Sequence, residues 1–283
     1  MSAPSELNQQ ACALYQRVLQ TLVDADARFL VGGAYAFAVH TGIERHTRDL
    51  DLFMQRSDFD AISGLLRRAG WEVELTYPHW LGKVHAQGQT IDLIFNSGNG
   101  LTPVDDDWFR HAAHAEVLGV PVRLMPIEEM ICSKAFVMER ERYDGADVAH
   151  LLRTGAARID WHRLLQRFGP HWRVLLSHLV LYGFVYPSER AQVPAWVPEL
   201  LIERLRAELC QPAASSGPIC QGTLLSRQQY LDDIQRLGYV DGRAVSGGTM
   251  TRDEIAAWTA AINDPAAQAP ADPPARPSAA PQG

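Results

Sequence analysis

Cysteine is scarce in this chain, whose 283 residues include four cysteines that lie far apart in the sequence. The closest two, Cys210 and Cys220, have no second pair of metal ligands nearby, so their spacing argues against a zinc site. Cys132 falls in a stretch of helical spacing and is expected to be a small buried side chain. We therefore expect reduced cysteines that bind no zinc.

Long apolar runs are also missing. The longest nearly apolar run, residues 174–186, contains polar residues and is too short to cross a bilayer. No basic segment followed by an apolar stretch comes after Met1, so no signal peptide is expected. These absences predict a soluble cytoplasmic protein without a membrane partner.

Positive charge is in deficit, with 26 lysines and arginines against 33 acidic residues and a formal net charge of -7. This balance does not favour a nucleic-acid partner, although a local basic patch would still permit one. The hydrophobic fraction of 47% is that of a globular protein, and the length allows one large domain or two small ones.

Three carboxylates stand out in two short runs of alternating character. Asp49 and Asp51 alternate with leucines, so on a β-strand both would lie on one face. Asp92 lies in a second run of this kind, and it would fall beside the other two if the strands pair. Three carboxylates on one face repel one another unless a cation lies among them, and Mg²⁺ prefers oxygen ligands and substrate phosphates.

A glycine pair precedes these carboxylates. Gly32 and Gly33 end a short apolar run at 29–31, and helix-compatible residues follow. A strand–Gly-Gly–helix junction allows backbone N–H groups to approach an anion, and the helix N-terminus adds a favourable dipole. The first hundred residues therefore combine a predicted phosphate site with a predicted metal site.

In order and spacing, these motifs resemble the nucleotidyltransferase superfamily that includes DNA polymerase beta. That superfamily carries a glycine pair that opens a helix, then an Asp-x-Asp strand and a third carboxylate on a later strand. The most similar branch has Gly-Gly followed by Arg-x-Thr-x-Asp-Leu-Asp-Leu, which here is Gly32-Gly33 and the segment 45–52. This branch includes toxin components of abortive-infection systems, antibiotic nucleotidyltransferases and other bacterial proteins.

The resemblance implies an α+β (mixed α/β) nucleotidyltransferase fold, in which helices flank a small mixed sheet and a mainly helical C-terminal region follows. It implies transfer of a nucleoside monophosphate from an NTP, such as ATP, to an acceptor hydroxyl, with release of pyrophosphate and with Mg²⁺ or Mn²⁺ as cofactor. The implied catalytic residues and metal ligands are Asp49, Asp51 and Asp92, the last also helping to deprotonate the acceptor. The implied nucleotide-binding residues are Gly32, Gly33, Thr47 and Lys134.

Several charged residues are open to two interpretations. Lys134 lies on the apolar stripe of a helix predicted over 126–142, where its stem could pack while the ammonium reaches water, whereas the resemblance implies a contact with the triphosphate. Asp144 and Asp147 match an acidic pair of the family, but Asp144 is more simply explained as the cap of the next helix. Lys83, His79 and His85 approach the Asp92 run, where Lys83 could reach a phosphate or an acceptor and the two histidines could bind metal. No tight cluster of histidines and cysteines supports zinc, and the expectation is that all three are surface turn residues.

The chain divides into four predicted segments. Residues 1–125 form the catalytic core with an N-terminal helix over 6–25, a helix over 57–69, a strand at 71–75, a hairpin of strands 83–86 and 90–95, and a strand pair at 117–124. Residues 126–210 form a helical region packed on the core, with a helix capped by Asp160 and helices near 172–180 and 197–209. Residues 211–263 form a helical extension, with capping boxes that open helices at Ser226 and Thr251. Residues 264–283 are an alanine- and proline-rich tail that is expected to be disordered.

Two other functions stay open. A non-catalytic member of the fold, such as a toxin–antitoxin component, would bind nucleotide or protein without releasing pyrophosphate. An enzyme that adds nucleotides to RNA ends would show salt-sensitive RNA binding. The sequence does not identify the acceptor or the preferred NTP.

Overall fold

The computed structural model describes residues 6–45, 47, 49–86, 88–211, 217–245 and 249–263. The predicted alanine- and proline-rich tail therefore lies outside the described residues, as do His46 and Arg48 of the motif. The mixed α/β fold predicted from the sequence is confirmed. Within the described residues, no helix is long and apolar enough to cross a membrane.

A mixed sheet of seven strands forms the centre of the fold, in the order β3-β4-β5-β2-β1-β7-β6. The strands are β1 (Leu30–Val31), β2 (Asp49–Phe53), β3 (Glu72–Tyr77), β4 (Leu81–Ala86), β5 (Gln89–Ile94), β6 (Ala113–Val117) and β7 (Val120–Leu124). β2 pairs with β5 and β1 pairs with β7 in parallel, and the remaining neighbours are antiparallel. The parallel pairing of β2 with β5 brings the two carboxylate-bearing strands together.

Helices surround this sheet. They are α1 (Glu6–Asp24), α2 (Gly33–Thr41), α3 (Phe59–Arg68), α4 (Asp106–Arg110), α5 (Ile127–Ala135), α6 (Gly145–Gly155), α7 (Trp161–Phe168), α8 (Trp172–Val185) and α9 (Trp196–Leu209). The Asp160 side chain accepts a hydrogen bond from the Arg163 N–H at the start of α7, which confirms the predicted cap. α6 packs on both α2 and α5, and α2 also packs on β2 beside the carboxylates.

The leucines and the acids of β2 lie on opposite faces of the sheet, as their alternation in the sequence predicted. Leu50 and Leu52 are fully buried in the core, whereas Asp49 and Asp51 lie half-buried on the opposite face. In β5, Ile91 and Leu93 are likewise fully buried. Burial of such leucine and isoleucine side chains contributes about 2 kcal/mol each, and it fixes which face carries the acids, because a one-residue slip would turn every side chain over.

The predicted helix over 126–142 is wrong in its second half. α5 ends at Ala135, and the chain then forms a short bridge between Met138 and Tyr143. The N–H of Met138 donates to the Leu225 carbonyl at 3.1 Å, so a contact from the far C-terminal part replaces the next helical hydrogen bond. Met138 is therefore not part of the apolar stripe of α5.

The C-terminal extension, residues 217–263, contains more than helices. A short parallel pair of strands, β8 (Ile219–Cys220) and β9 (Val240–Asp241), accompanies α10 (Leu231–Gln235) and α11 (Arg252–Ala260). The capping box at Thr251 and Glu254 is confirmed. The helix predicted from Ser226 to about Leu237 is shorter than expected, because the Ser226 hydroxyl donates to Glu139 and the helix begins only at Leu231.

This extension contacts the helical region, the loop after β5 and the β3–β4 turn; in the loop, Asn99 Nδ2 donates to the Leu224 carbonyl at 2.8 Å. Besides the contacts of Ser226, the N–H of Arg227 donates to Glu139 at 2.9 Å, just after α5. At the β3–β4 turn, the Trp258 ring lies 4.8 Å from that of Tyr77 and 5.2 Å from that of Trp80. The extension thus connects the helical region with the far end of the β3–β4 hairpin.

Candidate active site

Three carboxylates meet on the exposed face of β2 and β5. Asp51 and Asp92 are direct neighbours in the parallel register, and Asp49 lies two residues before Asp51 on the same face. One oxygen from each of the three carboxylates lies within 4.8 Å of the others. Within the described residues this is the only group of acidic, histidine or cysteine side chains close enough to hold a metal ion. The juxtaposition predicted for Asp49, Asp51 and Asp92 is therefore present in the fold.

Burial and mutual proximity raise the pKa values of two of these acids. Burial, followed by the charges of Asp49 and Asp92, raises the pKa of Asp51 to about 8, while Lys134 and Arg142 act in the opposite direction. Burial also raises the pKa of Asp92 above its usual range, opposed mainly by Lys83. In the absence of added positive charge, the cluster therefore favours at least one protonated carboxyl group near neutral pH.

The glycine pair lies directly against Asp51. Gly32 donates its N–H to the Asp51 carbonyl at 2.9 Å and occupies the N-cap position of α2. Gly33 has φ +53°, and a Cβ at this position would lie 1.7 Å from Asp51 Oδ2. Glycine is required here both for the backbone conformation and for the close approach of the carboxylate.

Thr47 lies beside the first carboxylate. Its hydroxyl donates a hydrogen bond to Asp49 Oδ1 and lies 3.4 Å from the Asp49 backbone nitrogen. This contact orients Asp49 at the start of β2. The structure thus places Thr47 next to the predicted metal ligands.

Lys134 is held by two carboxylates. Its Nζ lies 2.6 Å from Asp147 Oδ2 and 3.3 Å from Asp144 Oδ2. Asp147, whose side chain is only 6% exposed, also binds Arg45 Nη2 at 2.5 Å through its other oxygen. Arg45 and Lys134 both lie over the Phe37 ring, with Arg45 Cζ 4.6 Å and Lys134 Nζ 5.7 Å from its centroid. The buried Asp147 therefore joins the loop before β2 to α5.

The cap predicted at Asp144 is wrong. Asp144 occupies the N-cap position of α6, but its side chain makes no capping hydrogen bond. It instead accepts two hydrogen bonds from the Arg142 guanidinium, at 3.1 and 3.0 Å, in addition to its contact with Lys134. Two nearby cations attract the carboxylate more strongly than neutral N–H groups do, and the pKa of Asp144 is lowered mainly by these bonds against the effect of burial.

Lys83 is a strand residue that contacts the site, not the surface turn residue that was expected. Its Nζ lies 3.1 Å from Asp92 Oδ1, and its side chain is 23% exposed. His85 pairs with Glu74 at 3.4 Å, and His79 Nε2 lies 3.4 Å from the Gly98 carbonyl at the β3–β4 turn. Neither histidine belongs to the cluster that could hold a metal.

Two tyrosines also lie close to the acids. Burial, then the negative charge of Asp49, raises the pKa of Tyr15 in α1, and burial does the same for Tyr35 in α2. The two rings contact each other edge to face, with centroids 6.4 Å apart. Neither residue was predicted from the sequence, because both lie in ordinary helical segments and no motif singles them out.

The sequence matches the protein family described as uncharacterised nucleotidyltransferase over residues 5–182, which is more than half of the chain. The chain therefore belongs to this family, and its superfamily resemblance is confirmed. None of the curated proteins compared matches the sequence significantly.

Solved structures that are similar to this chain include two antibiotic-related proteins and a protein from Helicobacter pylori. The antibiotic-resistance factor ANT(2'')-Ia is 15% identical over 60% of this chain and 97% of its own, with a TM-score of 0.43. The lincosamide antibiotic adenylyltransferase LnuA, solved with lincomycin, is 14% identical over 48% of this chain and 93% of its own, with a TM-score of 0.35. JHP933 from Helicobacter pylori is 12% identical over 73% of this chain and 97% of its own, with a TM-score of 0.37.

Proposed function

We propose that the protein is a metal-dependent nucleotidyltransferase that moves a nucleoside monophosphate from an NTP to a hydroxyl group of an acceptor. The observation that carries this proposal is the contact between the two predicted half-sites. The glycine junction at Gly33 lies directly against Asp51, the central carboxylate of the acidic cluster. A phosphate chain at the start of α2 and a cation between the acids would therefore be neighbours.

The donor set fits Mg²⁺ or Mn²⁺. Asp49, Asp51 and Asp92 offer oxygens within 4.8 Å of one another, and hard divalent cations prefer such oxygen ligands. Burial, and then the charges of Asp49 and Asp92, raise the pKa of Asp51, and a cation among the acids would stabilise its deprotonated form. When bound, the metal would supply charge stabilisation for the triphosphate and for the attacking oxygen.

The phosphate groups would lie on the α2 side of the acids. Gly32 and Gly33 supply backbone at the N-terminus of α2, where anions are favoured. Lys134 and Arg45 lie over Phe37 of the same helix and supply two positive charges. In this proposal, Asp147 holds these cations at a fixed separation so that they meet the β- and γ-phosphates together.

The transfer step requires one bond to form and one to break. The acceptor oxygen forms a bond to the α-phosphorus, and the bond from that phosphorus to the pyrophosphate oxygen breaks. Asp92, with a raised pKa, accepts the proton of the acceptor hydroxyl. Lys83, whose Nζ lies 3.1 Å from Asp92 Oδ1, offsets the negative charge of Asp92.

The test is transfer of label from α-³²P-ATP and from γ-³²P-ATP, each with Mg²⁺ or Mn²⁺ and a cell extract as the source of acceptors. We expect the α-label to enter a product and the γ-label to appear only in pyrophosphate. Transfer of the γ-label would indicate a kinase, and nucleotide binding without transfer of either label would favour a non-catalytic member of the fold. The other three NTPs, labelled in the same way, would identify the preferred base.

A further inference from the structure

A row of charged side chains leads from the acids to the edge of the sheet. The strand registers place Asp51, Asp92, Lys83 and Glu74 directly beside one another on four neighbouring strands, so they share one face. Exposure rises along the row, from 17% for Asp92 and 23% for Lys83 to 57% for Glu74. The opposite face of the same strands is core, with Val73 and Val84 buried. The face that carries the row is therefore open beyond Asp92.

Lysine is rare in this chain, so the position of Lys83 beside the acids is informative. The 26 basic residues include only two lysines, Lys83 and Lys134, and all the others are arginines. Both lysines touch carboxylates at or near the acidic cluster: Lys83 binds Asp92 from β4, and Lys134 binds Asp147 from α5. A lysine carries a compact charge on a flexible stem, whereas an arginine presents a wide planar fork. Each lysine thus provides a compact cation beside the acids, Lys134 held by Asp144 and Asp147 and Lys83 paired with Asp92.

The direction of attack decides which side of the acids receives the acceptor. In transfer of a nucleotidyl group, the attacking oxygen and the leaving pyrophosphate lie roughly in line through the α-phosphorus. In the proposed function, pyrophosphate leaves on the side of α2, Arg45 and Lys134. The sheet order places β4 and β3 on the other side of β5 and β2, which is the side left for the acceptor.

We propose, on the basis of the proposed function, that the exposed face of β3–β5 is the acceptor subsite, with Lys83 and Glu74 as its binding residues. The acceptor is a small polar molecule that carries the reactive hydroxyl, rather than a nucleic acid. Two strand spacings separate Asp92 from Glu74, which is about 10 Å and suits a molecule of one or two rings. Lys83 contacts the acceptor near the reacting hydroxyl, and Glu74 accepts hydrogen bonds from its far end.

The charges of this face argue against RNA as the acceptor. Glu74 and Glu72 are both exposed on β3 at the outer end of the row. A phosphate backbone entering over β3 would meet these two carboxylates before it reached Lys83, whose charge is already shared with Asp92. RNA-end addition would require a basic surface at this point.

The first test uses the two lysines as reporters. The protein is methylated with formaldehyde and a borohydride reagent, and mass spectrometry follows each lysine with and without Mg²⁺ and α,β-methylene-ATP. We expect the nucleotide to slow the modification of Lys134 at least fivefold and to leave Lys83 reactive. Equal protection of both lysines would place the nucleotide on the β4 side and overturn the subsite, whatever the acceptor is.

The second test separates acceptor binding from nucleotide binding. Label from α-³²P-ATP is offered to three fractions of a cell extract: a small-molecule filtrate, RNA and protein. We expect label in the filtrate. We expect Glu74→Gln to need about tenfold more filtrate for half-maximal transfer and to bind α,β-methylene-ATP within twofold of the wild type. The control is Glu116→Gln, which changes an exposed carboxylate on β6 at the opposite edge of the sheet.

The outcomes test the acceptor subsite separately from the proposed nucleotidyltransferase activity. Transfer to RNA or protein alone, or wild-type behaviour of Glu74→Gln at limiting filtrate, would overturn the subsite while leaving the nucleotidyltransferase intact. If the wild-type protein labelled no fraction with any NTP, the proposed function itself would fail, and the acceptor subsite would fail with it.

Discussion

Gly33 and Asp51 are so close that no side chain could be added to the glycine, because a Cβ there would lie 1.7 Å from Asp51 Oδ2. The positive φ of Gly33 and the close approach of the Asp51 carboxylate both require a residue without a side chain at this position. This contact explains why the glycine pair and the Asp-x-Asp strand occur together. The glycine permits the turn into α2, and the space left by its missing side chain is filled by the central acid of the cluster.

Gly33→Ala should therefore damage the site. The added methyl group requires Asp51 to move and places alanine at φ +53°, so we expect a loss of about 2 kcal/mol in the free energy of unfolding and a large loss of transfer activity. Urea denaturation and the α-label assay measure the two effects. Gly64→Ala is the matched control, because Gly64 lies inside α3 and its Cβ would have only Arg68 Nη1 nearby, at 3.5 Å. Gly64→Ala should be neutral or slightly stabilising. Equal losses in the two variants would contradict this explanation.

Asp147→Asn tests the connection between Arg45 and Lys134. The substitution keeps the shape of the side chain but removes the negative charge that joins the two cations. We expect the free energy of unfolding to fall by about 3 kcal/mol and the KM for NTP to rise more than kcat falls. Asp232→Asn removes one partner of an exposed pair with Arg236 and should change neither quantity. If Asp147→Asn bound nucleotide as the wild type does, the cations would not act on the phosphates as proposed.

The acidic cluster should make stability depend on pH. The pKa of Asp51 is about 8 in the folded protein without metal, against about 4 in an unfolded chain. The folded state then binds this proton more tightly than the unfolded state, so the free energy of unfolding falls as the pH rises between these two values. Asp51→Asn should flatten this dependence and melt several degrees above the wild type near pH 8.5 without metal.

Mg²⁺ should oppose this loss of stability at high pH, because it binds the deprotonated acids. We expect added Mg²⁺ to raise the Tm of the wild type more near pH 8.5 than near pH 6, and to leave Asp51→Asn almost unchanged. Thermal melts over this range, with and without the metal, measure both effects. A wild-type Tm that ignored Mg²⁺ at every pH would contradict a metal site at these acids.

The sequence predicts where the acids and the glycines lie in the fold for a local reason. Alternation with leucines determines the face on which Asp49 and Asp51 lie, and the apolar neighbours of Asp92 place it on a second buried strand. One pairing, β2 with β5, then suffices to bring all three together. Each of these steps depends on neighbouring residues and a single strand contact.

The remaining contacts depend on the tertiary structure, which a sequence pattern does not show. α5 stops at Ala135 because the later Met138 bonds to Leu225 in the extension. Asp144 contacts Lys134 and Arg142 rather than the start of its own helix. The contact of Lys83 with Asp92 depends on the exact register of the predicted hairpin, in which Ala86 pairs with Gln89 and Lys83 with Asp92.

The most direct measurement is the α-label assay with Mg²⁺, comparing the wild type with Asp51→Asn at equal concentrations after circular dichroism has shown that both are folded. We expect the variant to transfer label at less than about one thousandth of the wild-type rate, because the carboxylate at the centre of the proposed metal site is lost. Transfer at the wild-type rate by a folded Asp51→Asn protein would contradict the assignment of the active site to these three acids.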